Sequence, residues 1–357
     1  MNVSAFNADR IAREKRLRQA MAPFVAPSMA RAVALLIMTL AVYALGVWLA
    51  GFSGTPLWLR VAGGLVAGFA MPSLFVIGHD AAHGAYTASK RANAIMARIA
   101  FLPELHNYSL WAAVHNRQHH RAPNLKGHNS WSPLDVAEYR ALPPWRRLVE
   151  QLYRSPAGFA PYYLVERWWR DKFVPRHILP GVSPRAAWRD FALLDLYLVA
   201  LVAALAWSGG WLSVALGFVL PFVVWNHMMG TAIYLQHTNP RAPWFASIED
   251  WRKLGGEEEV TIHVRMPRWY GALTHHIMDH PAHHIQPLIP LYRLPAAQTR
   301  LNELLGDRAV VEEFSPHYLF ATMHACKLYD YRARQWCDFA GNPTGEVYRV
   351  EPVAIPA

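Results

Sequence analysis

Long stretches without a single charge alternate along this chain with polar, histidine-bearing segments. Ala32 to Phe52 contains no Asp, Glu, Lys or Arg, nor does Val61 to Ile77, and a longer uncharged tract runs from Leu196 to Pro240 with a break at Ser208-Gly209-Gly210. A helix needs about 20 apolar residues to cross a bilayer. The tracts therefore predict two helical hairpins, four membrane spans in all. Ile99 to Pro103 is apolar but too short to cross, and is predicted to lie in the interface. Residues 121 to 190, rich in Pro, Trp and Arg, predict surface helices, and the chain after Pro295 reads as a mixed-polarity tail forming a helical flap. The expected fold is an all-α integral membrane protein of four transmembrane helices with a cytoplasmic helical cap. Its expected divisions are a basic segment 1–31, a membrane domain 32–295 and a tail 296–357.

Composition points the same way. Hydrophobic residues make up 53% of the 357 residues and charged ones 17%, against about 25% charged in soluble proteins. Residues 1 to 31 lack the apolar core of a secretory signal. Arg10, Arg13, Lys15, Arg16, Arg18 and Arg31 precede the first tract, whereas Gly51–Leu57 and Ser208–Gly210 carry no Lys or Arg. That bias predicts cytoplasmic termini and a cytoplasmic 78–190 segment in a multi-pass protein of, for example, a bacterial inner membrane. The same bias accounts for the formal charge of +10. A second reading of the basic patches at Arg146-Arg147 and Arg167 to Arg176 is docking of an acidic electron carrier. No basic run with interleaved aromatics points to nucleic acid. Cys326 and Cys337 are expected to stay reduced thiols.

Three clusters carry the chemistry: His79 and His83; His115, His119 and His120; His280, His283 and His284. On an α-helix, positions i and i+4 share a face, as do i and i+3. Each cluster is therefore predicted to present its imidazoles from one side of a helix, His115 with His119 among them. Imidazole suits iron, copper, nickel and zinc alike. Number discriminates better, because one zinc takes about four ligands and eight histidines exceed that. Carboxylate-type di-iron bundles use Glu-x-x-His pairs, which are absent here. Bis-histidine haem would place single histidines inside the spans, and a metal transporter would carry ionisable groups there. A histidine-rich dinuclear iron centre at the membrane surface remains. His106, His128, His177, His263, His317 and His324 are isolated and read as ordinary polar residues. Asp80 and Asp279, each beside a box histidine, read either as groups holding an imidazole by its other N–H or as solvated helix surface. His276 lies four residues before His280 and beside His275; on a continuous helix it shares the face of His280, as a ligand or an outer partner.

The segments GHDAAHGAYTASKRAN, LWAAVHNRQHH, YLQHTNP and THHIMDHPAHHIQPLIPLYRL, in this order, resemble the membrane-bound fatty acid desaturase family over Pro72 to Pro295. The second box and the HHIQPLIPLY tail look most like acyl-lipid desaturases that act on an already unsaturated or membrane-bound chain. The resemblance implies two iron ions, O2 as co-substrate and introduction of a double bond into an acyl chain carried by a lipid or a thioester. It also implies a ninth ligand, His237, between the second hairpin and the third box. Related hydroxylases, acetylenases, ketolases and other lipid or hydrocarbon oxygenases would carry the same boxes. With no fused haem domain, cysteine cluster or G-x-G-x-x-G loop in the sequence, electrons are expected from a separate donor such as a ferredoxin. Tyr86, Trp111, Trp225 and Tyr234 are aromatics available to line an acyl tunnel or to form an interfacial belt.

Overall fold

The structure, a computed structural model, describes residues 3–349. Its helices in chain order are α1 (Val3–Met21), α2 (Met29–Gly51), α3 (Leu57–His83), α4 (Lys90–Ala100), α5 (Tyr108–Val114), α6 (Val136–Ala141), α7 (Pro144–Tyr153) and α8 (Phe159–Tyr162). They continue with α9 (Pro184–Val214), α10 (Leu220–His237), α11 (Ile248–Leu254), α12 (Arg268–Leu273), α13 (His280–Ile285), α14 (Leu294–Leu305) and α15 (Pro316–Ala325). The expectation of an all-helical chain needs one amendment. β1 (His263–Arg265) pairs in parallel with β2 (Val311–Glu313), and β3 (Leu328–Asp330) pairs antiparallel with β4 (Gln335–Cys337). The tail is thus no purely helical flap, and Trp336 ties it down by donating its indole N–H to the Asn239 carbonyl at 3.0 Å. Residues 350–357 of the predicted tail lie outside the described residues.

Among the described residues, three helical stretches are long and apolar enough to cross a membrane: Met29–Gly51, Leu57–His83 and Pro184–His237. The last has 54 residues, which as one straight helix would extend about 80 Å, far beyond a hydrocarbon core of about 30 Å. It is not straight. Gly209 and Gly210 leave helical geometry, Gly210 with φ of 67°, a region open to glycine at no steric cost. On either side of this break, Ser208 and Ser213 both donate to the carbonyl of Gly51, at 2.9 and 2.7 Å. The chain therefore doubles back beside the end of α2.

Close packing here depends on missing side chains. A Cβ on Gly63 would come within 2.8 Å of the Gly46 carbonyl oxygen, and one on Gly64 within 2.4 Å of the Leu216 carbonyl oxygen. These contacts set α3 directly between α2 and the start of the α10 limb. At this end the buried Arg60 donates to the Ala50 carbonyl at 2.9 Å and to Ser213 Oγ at 2.7 Å. Its cation thereby sits over the C-terminal carbonyls of α2, where a helix dipole favours positive charge.

At the opposite end the basic N-terminal segment is held by acid. Arg13 pairs with Glu258 at 2.5 Å and Arg18 with Glu257 at 3.1 Å, while Arg10 donates to the Arg252 carbonyl. Positive charge that sequence alone explains by topology thus also clasps α1 to the loop preceding the third box. In Ile99–Pro103, predicted to lie in the interface, Ile99 is exposed and Phe101 is fully buried in the protein. Its ring occupies the space left by Gly78, where a Cβ would come within 2.5 Å of it.

Glu104, in the same turn, is fully buried, and neither carboxyl oxygen has a hydrogen-bond partner. Burial pushes its carboxyl well above the ordinary value of 4.5. Leaving such a group unsatisfied costs about 1–3 kcal/mol, so Glu104→Leu should raise the unfolding midpoint of the purified protein. A carboxyl raised in the folded state contributes stability that is complete below its unfolded value and lost as pH rises through its folded value. The advantage of the leucine variant should accordingly widen as pH rises above 4.5. Thermal melts with equal midpoints, or a gap that narrows with pH, would contradict this.

Candidate metal centre

The first box closes α3, where His79 and His83 stand one turn apart with ring centroids 4.7 Å from each other. The third box forms the short helix α13, in which His280 and His284 share one face, at 4.4 Å, and His283 points to another. His237 is the last residue of α10 and is fully buried.

The second box departs from the predicted geometry. α5 runs on into a π-helical turn, His115–His119, closed by the His120 N–H donating to the His115 carbonyl at 3.0 Å. Such single wide turns recur at functional sites. The extra residue in the turn brings His115 and His120 together, Nε2 to Nε2 at 3.1 Å, and aims His119 elsewhere. The rings of His115 and His119 still stack 4.8 Å apart, as α-helical spacing predicts, but they fall in different groups, His115 with His120.

The nine histidines form two groups. His79, His83, His115, His120 and His283 bring one ring nitrogen each within 4.8 Å of one another, and His119, His237, His280 and His284 do the same. Contacts at this range include His280 to His237 at 2.9 Å, His283 to His120 at 3.1 Å and His284 to His119 at 3.1 Å. The groups adjoin, with the rings of His120 and His284 stacked 4.3 Å apart. Burial pushes the imidazoles of His115, His119, His120, His280, His283 and His284 well below their ordinary range, and neighbouring imidazoles add to the shift. Burial thus favours their neutral form, the one that can bind a metal. Neutral imidazoles facing one another at these distances cannot satisfy all their nitrogens mutually, and His83 Nε2 has no partner. Cations at the two foci would satisfy them, so the donor set fits metal ions of the kind imidazole favours.

Several rings are held from behind, as metal-bound histidines usually are. His79 Nδ1 faces Asp80 Oδ1 at 3.0 Å, His237 Nδ1 faces the Val260 carbonyl at 3.1 Å, and His119 Nδ1 meets Asn129 Oδ1. Asn129 in turn donates to Asn124, whose amide donates to the His237 carbonyl. Neither asparagine carries a signal in sequence, because the loop that returns them to the box has no periodicity. Asp279 is oriented away from the centre, facing His263 at 3.1 Å. His276 also stands outside both groups. Its φ of 59° and that of His275, 47°, put the two in a turn ahead of α13, so the shared face with His280 does not form. His106 bridges the Glu104 carbonyl and the Tyr163 hydroxyl, and His227 packs its ring on Phe159. Cys326 and Cys337 are free thiols, both buried. A cavity of about 60 Å³ touches His79, His115, His119 and His280 and is walled by Phe75 and Trp111. Trp225, Tyr86 and Tyr234 are buried in the core rather than along this cavity.

The profile of the family described as fatty acid desaturase matches residues 56–315, wider at both ends than the motifs alone suggest. The chain is similar to the chloroplastic omega-6 fatty acid desaturase of Glycine max, 28% identical over 81% of this chain and 66% of that one. It is likewise similar to the sn-1 oleoyl-lipid 12-desaturase of Synechocystis, 28% identical over 74% of each chain. The sn-1 acyl-lipid omega-3 desaturase (ferredoxin) of Synechocystis is 29% identical over 68% of this chain and 67% of that one. The match spans just under two thirds of the plant enzyme's own length.

Proposed function

Because this chain belongs to the fatty acid desaturase family, we propose that it is an O2-dependent di-iron desaturase that introduces a double bond into a membrane-lipid acyl chain. The observation that carries the reading is the convergence of nine imidazoles, five of them buried and four half-buried, from four separate segments into two adjoining groups. His79, His83, His115, His120 and His283 would hold one iron, and His119, His237, His280 and His284 the other. Iron bound there would supply the oxidant: one O2, two electrons from the donor and two protons from water would take two hydrogens from adjacent methylenes, leaving a double bond and two waters. The chain's own residues do the rest. Asp80, Asn129 and the Val260 carbonyl fix ring orientation, and Phe75 and Trp111 keep bulk water from the cavity side of the rings.

The two limbs of Pro184–His237, doubled back at Gly209-Gly210, are taken as the second hairpin, which gives four spans. The Lys/Arg asymmetry supports placing the histidines and both termini in the cytoplasm. The relatives named for sn-1 acyl-lipid substrates favour a lipid-bound chain, and the one named with ferredoxin favours a separate small electron donor. Expression in a host with simple lipids should produce a new double bond in its fatty acid profile. The purified active protein should contain about two irons per chain. An unchanged profile together with stoichiometric zinc in fresh protein would sink the proposal.

A further inference from the structure

The cavity beside the histidines holds about 60 Å³, against roughly 300–1,000 Å³ for ordinary ligand sites. It has no room for a whole acyl chain, only for the few methylenes that lie beside the histidines. On the adjoining face of α10 lies a second space of about 260 Å³. Ala232 lines both.

Helix α10 divides the two by its own periodicity. Met229, Ile233 and Gln236 line the histidine side, whereas Met228, Thr231 and Leu235 line the other. Further along the chain the division is repeated, with Ile277 on the first side and Met278 on the second. The ridge between the spaces is therefore narrow at Ala232, the smallest side chain on it. Its opposite wall includes Met278, an unbranched and adaptable side chain.

The larger space is hydrocarbon-like. Its polar Thr231 donates its hydroxyl to the His227 carbonyl at 2.8 Å, so that group asks nothing of a ligand. Trp269 stands at the rim, 64% exposed, as an aromatic at a membrane–water boundary does. Because α10 ends one of the stretches apolar enough to cross a membrane, the groove opens beside lipid.

We infer that this groove is the route by which the acyl tail of a membrane lipid passes from the bilayer to the histidine cavity, crossing α10 at Ala232, whose small side chain keeps the passage open. The inference rests on the acyl-lipid reading and deepens it. The headgroup stays at the rim near Trp269 while the tail alone moves inward. An acyl-thioester arriving from water would have no use for an opening on this face.

The test uses full-length protein in phosphatidylcholine vesicles whose lipid carries a mid-chain diazirine on the sn-1 acyl group. Irradiation and peptide mapping should label wild type both on the groove side, at Met228 or Leu235, and on the cavity side, at Ile233 or Ile277. In Ala232→Phe the groove label should persist, the cavity label should vanish and lipid desaturation should fall at least tenfold, with iron content unchanged. Thr231→Trp fills the groove from a half-buried position and should lose both labels, which covers an Ala232→Phe protein that fails to fold. Val223→Phe adds similar bulk at a half-exposed position of α10 opposite Ala232 that lines neither space and should keep labels and turnover. Full lipid turnover in both Ala232→Phe and Thr231→Trp, or wild-type label confined to the cavity side, overturns the route while leaving the lipid substrate standing. A wild type that desaturates acyl-thioesters and no lipid-bound chain overturns the substrate reading, and the route with it.

Discussion

His237→Ala should abolish desaturation and reduce bound iron from about two per chain to about one. His237 presents its Nε2 to His280 at 2.9 Å and shares its group with only three other histidines. Losing it leaves three imidazoles where tight binding needs about four donors. The five-membered group takes no residue from α10 and should keep its metal. Removal of a group that merely orients a ligand typically costs 10–100-fold in affinity or activity, and removal of a ligand itself should cost more. His227→Ala is the internal comparison, because that ring lies ten residues earlier, against Phe159 and outside both groups. It should keep both irons. Iron analysis of the two variants, alongside fatty acid profiles of expressing cells, decides the matter. Full activity with two irons in His237→Ala would remove it from the ligand set.

Much of this centre was legible because histidine is scarce and apolar tracts are long. Clustered imidazoles beside uncharged stretches mark the side chains that the fold brings together, and the membrane-length helices, independently of any tertiary detail. The break at Ser208-Gly209-Gly210 was readable for a related reason, since glycine opens backbone geometry that other residues avoid. What failed to show was how the histidines divide between the two groups. Reading His115-Asn116-Arg117-Gln118-His119-His120 requires a turn size, and sequence offers the α-helical one by default. The π-helical turn reassigns His119 to the opposite group with no change in spacing. The same default misplaced His276, because positive φ at His275 and His276 is imposed by surrounding packing and has no marker such as glycine. Glu104 was silent as well, since burial of a lone carboxyl depends on what folds over it.

Asp80→Ala should weaken iron binding about 10–100-fold and destabilise the fold. The carboxylate is fully buried and has two tasks. One oxygen faces His79 Nδ1 at 3.0 Å, and the other accepts the Leu291 N–H at 2.6 Å. The first contact fixes which nitrogen of His79 is free to turn toward its group. The second fastens the end of α3 to the segment that follows the third box, so one side chain sets the distance between two boxes. Alanine frees the His79 ring to rotate and strands a buried N–H, at a cost of about 1–3 kcal/mol. Asp80→Asn separates the effects. Its single carbonyl oxygen can serve His79 or Leu291 but not both with the original geometry, so it should fall between alanine and wild type in both measurements. Competition of each protein for iron against a chelator, paired with thermal melts of the metal-free forms, reads the two tasks independently. Wild-type iron affinity in Asp80→Ala would mean that packing from Phe75 and Trp111, whose rings lie 6.4 and 5.5 Å from that of His79, orients the imidazole without help.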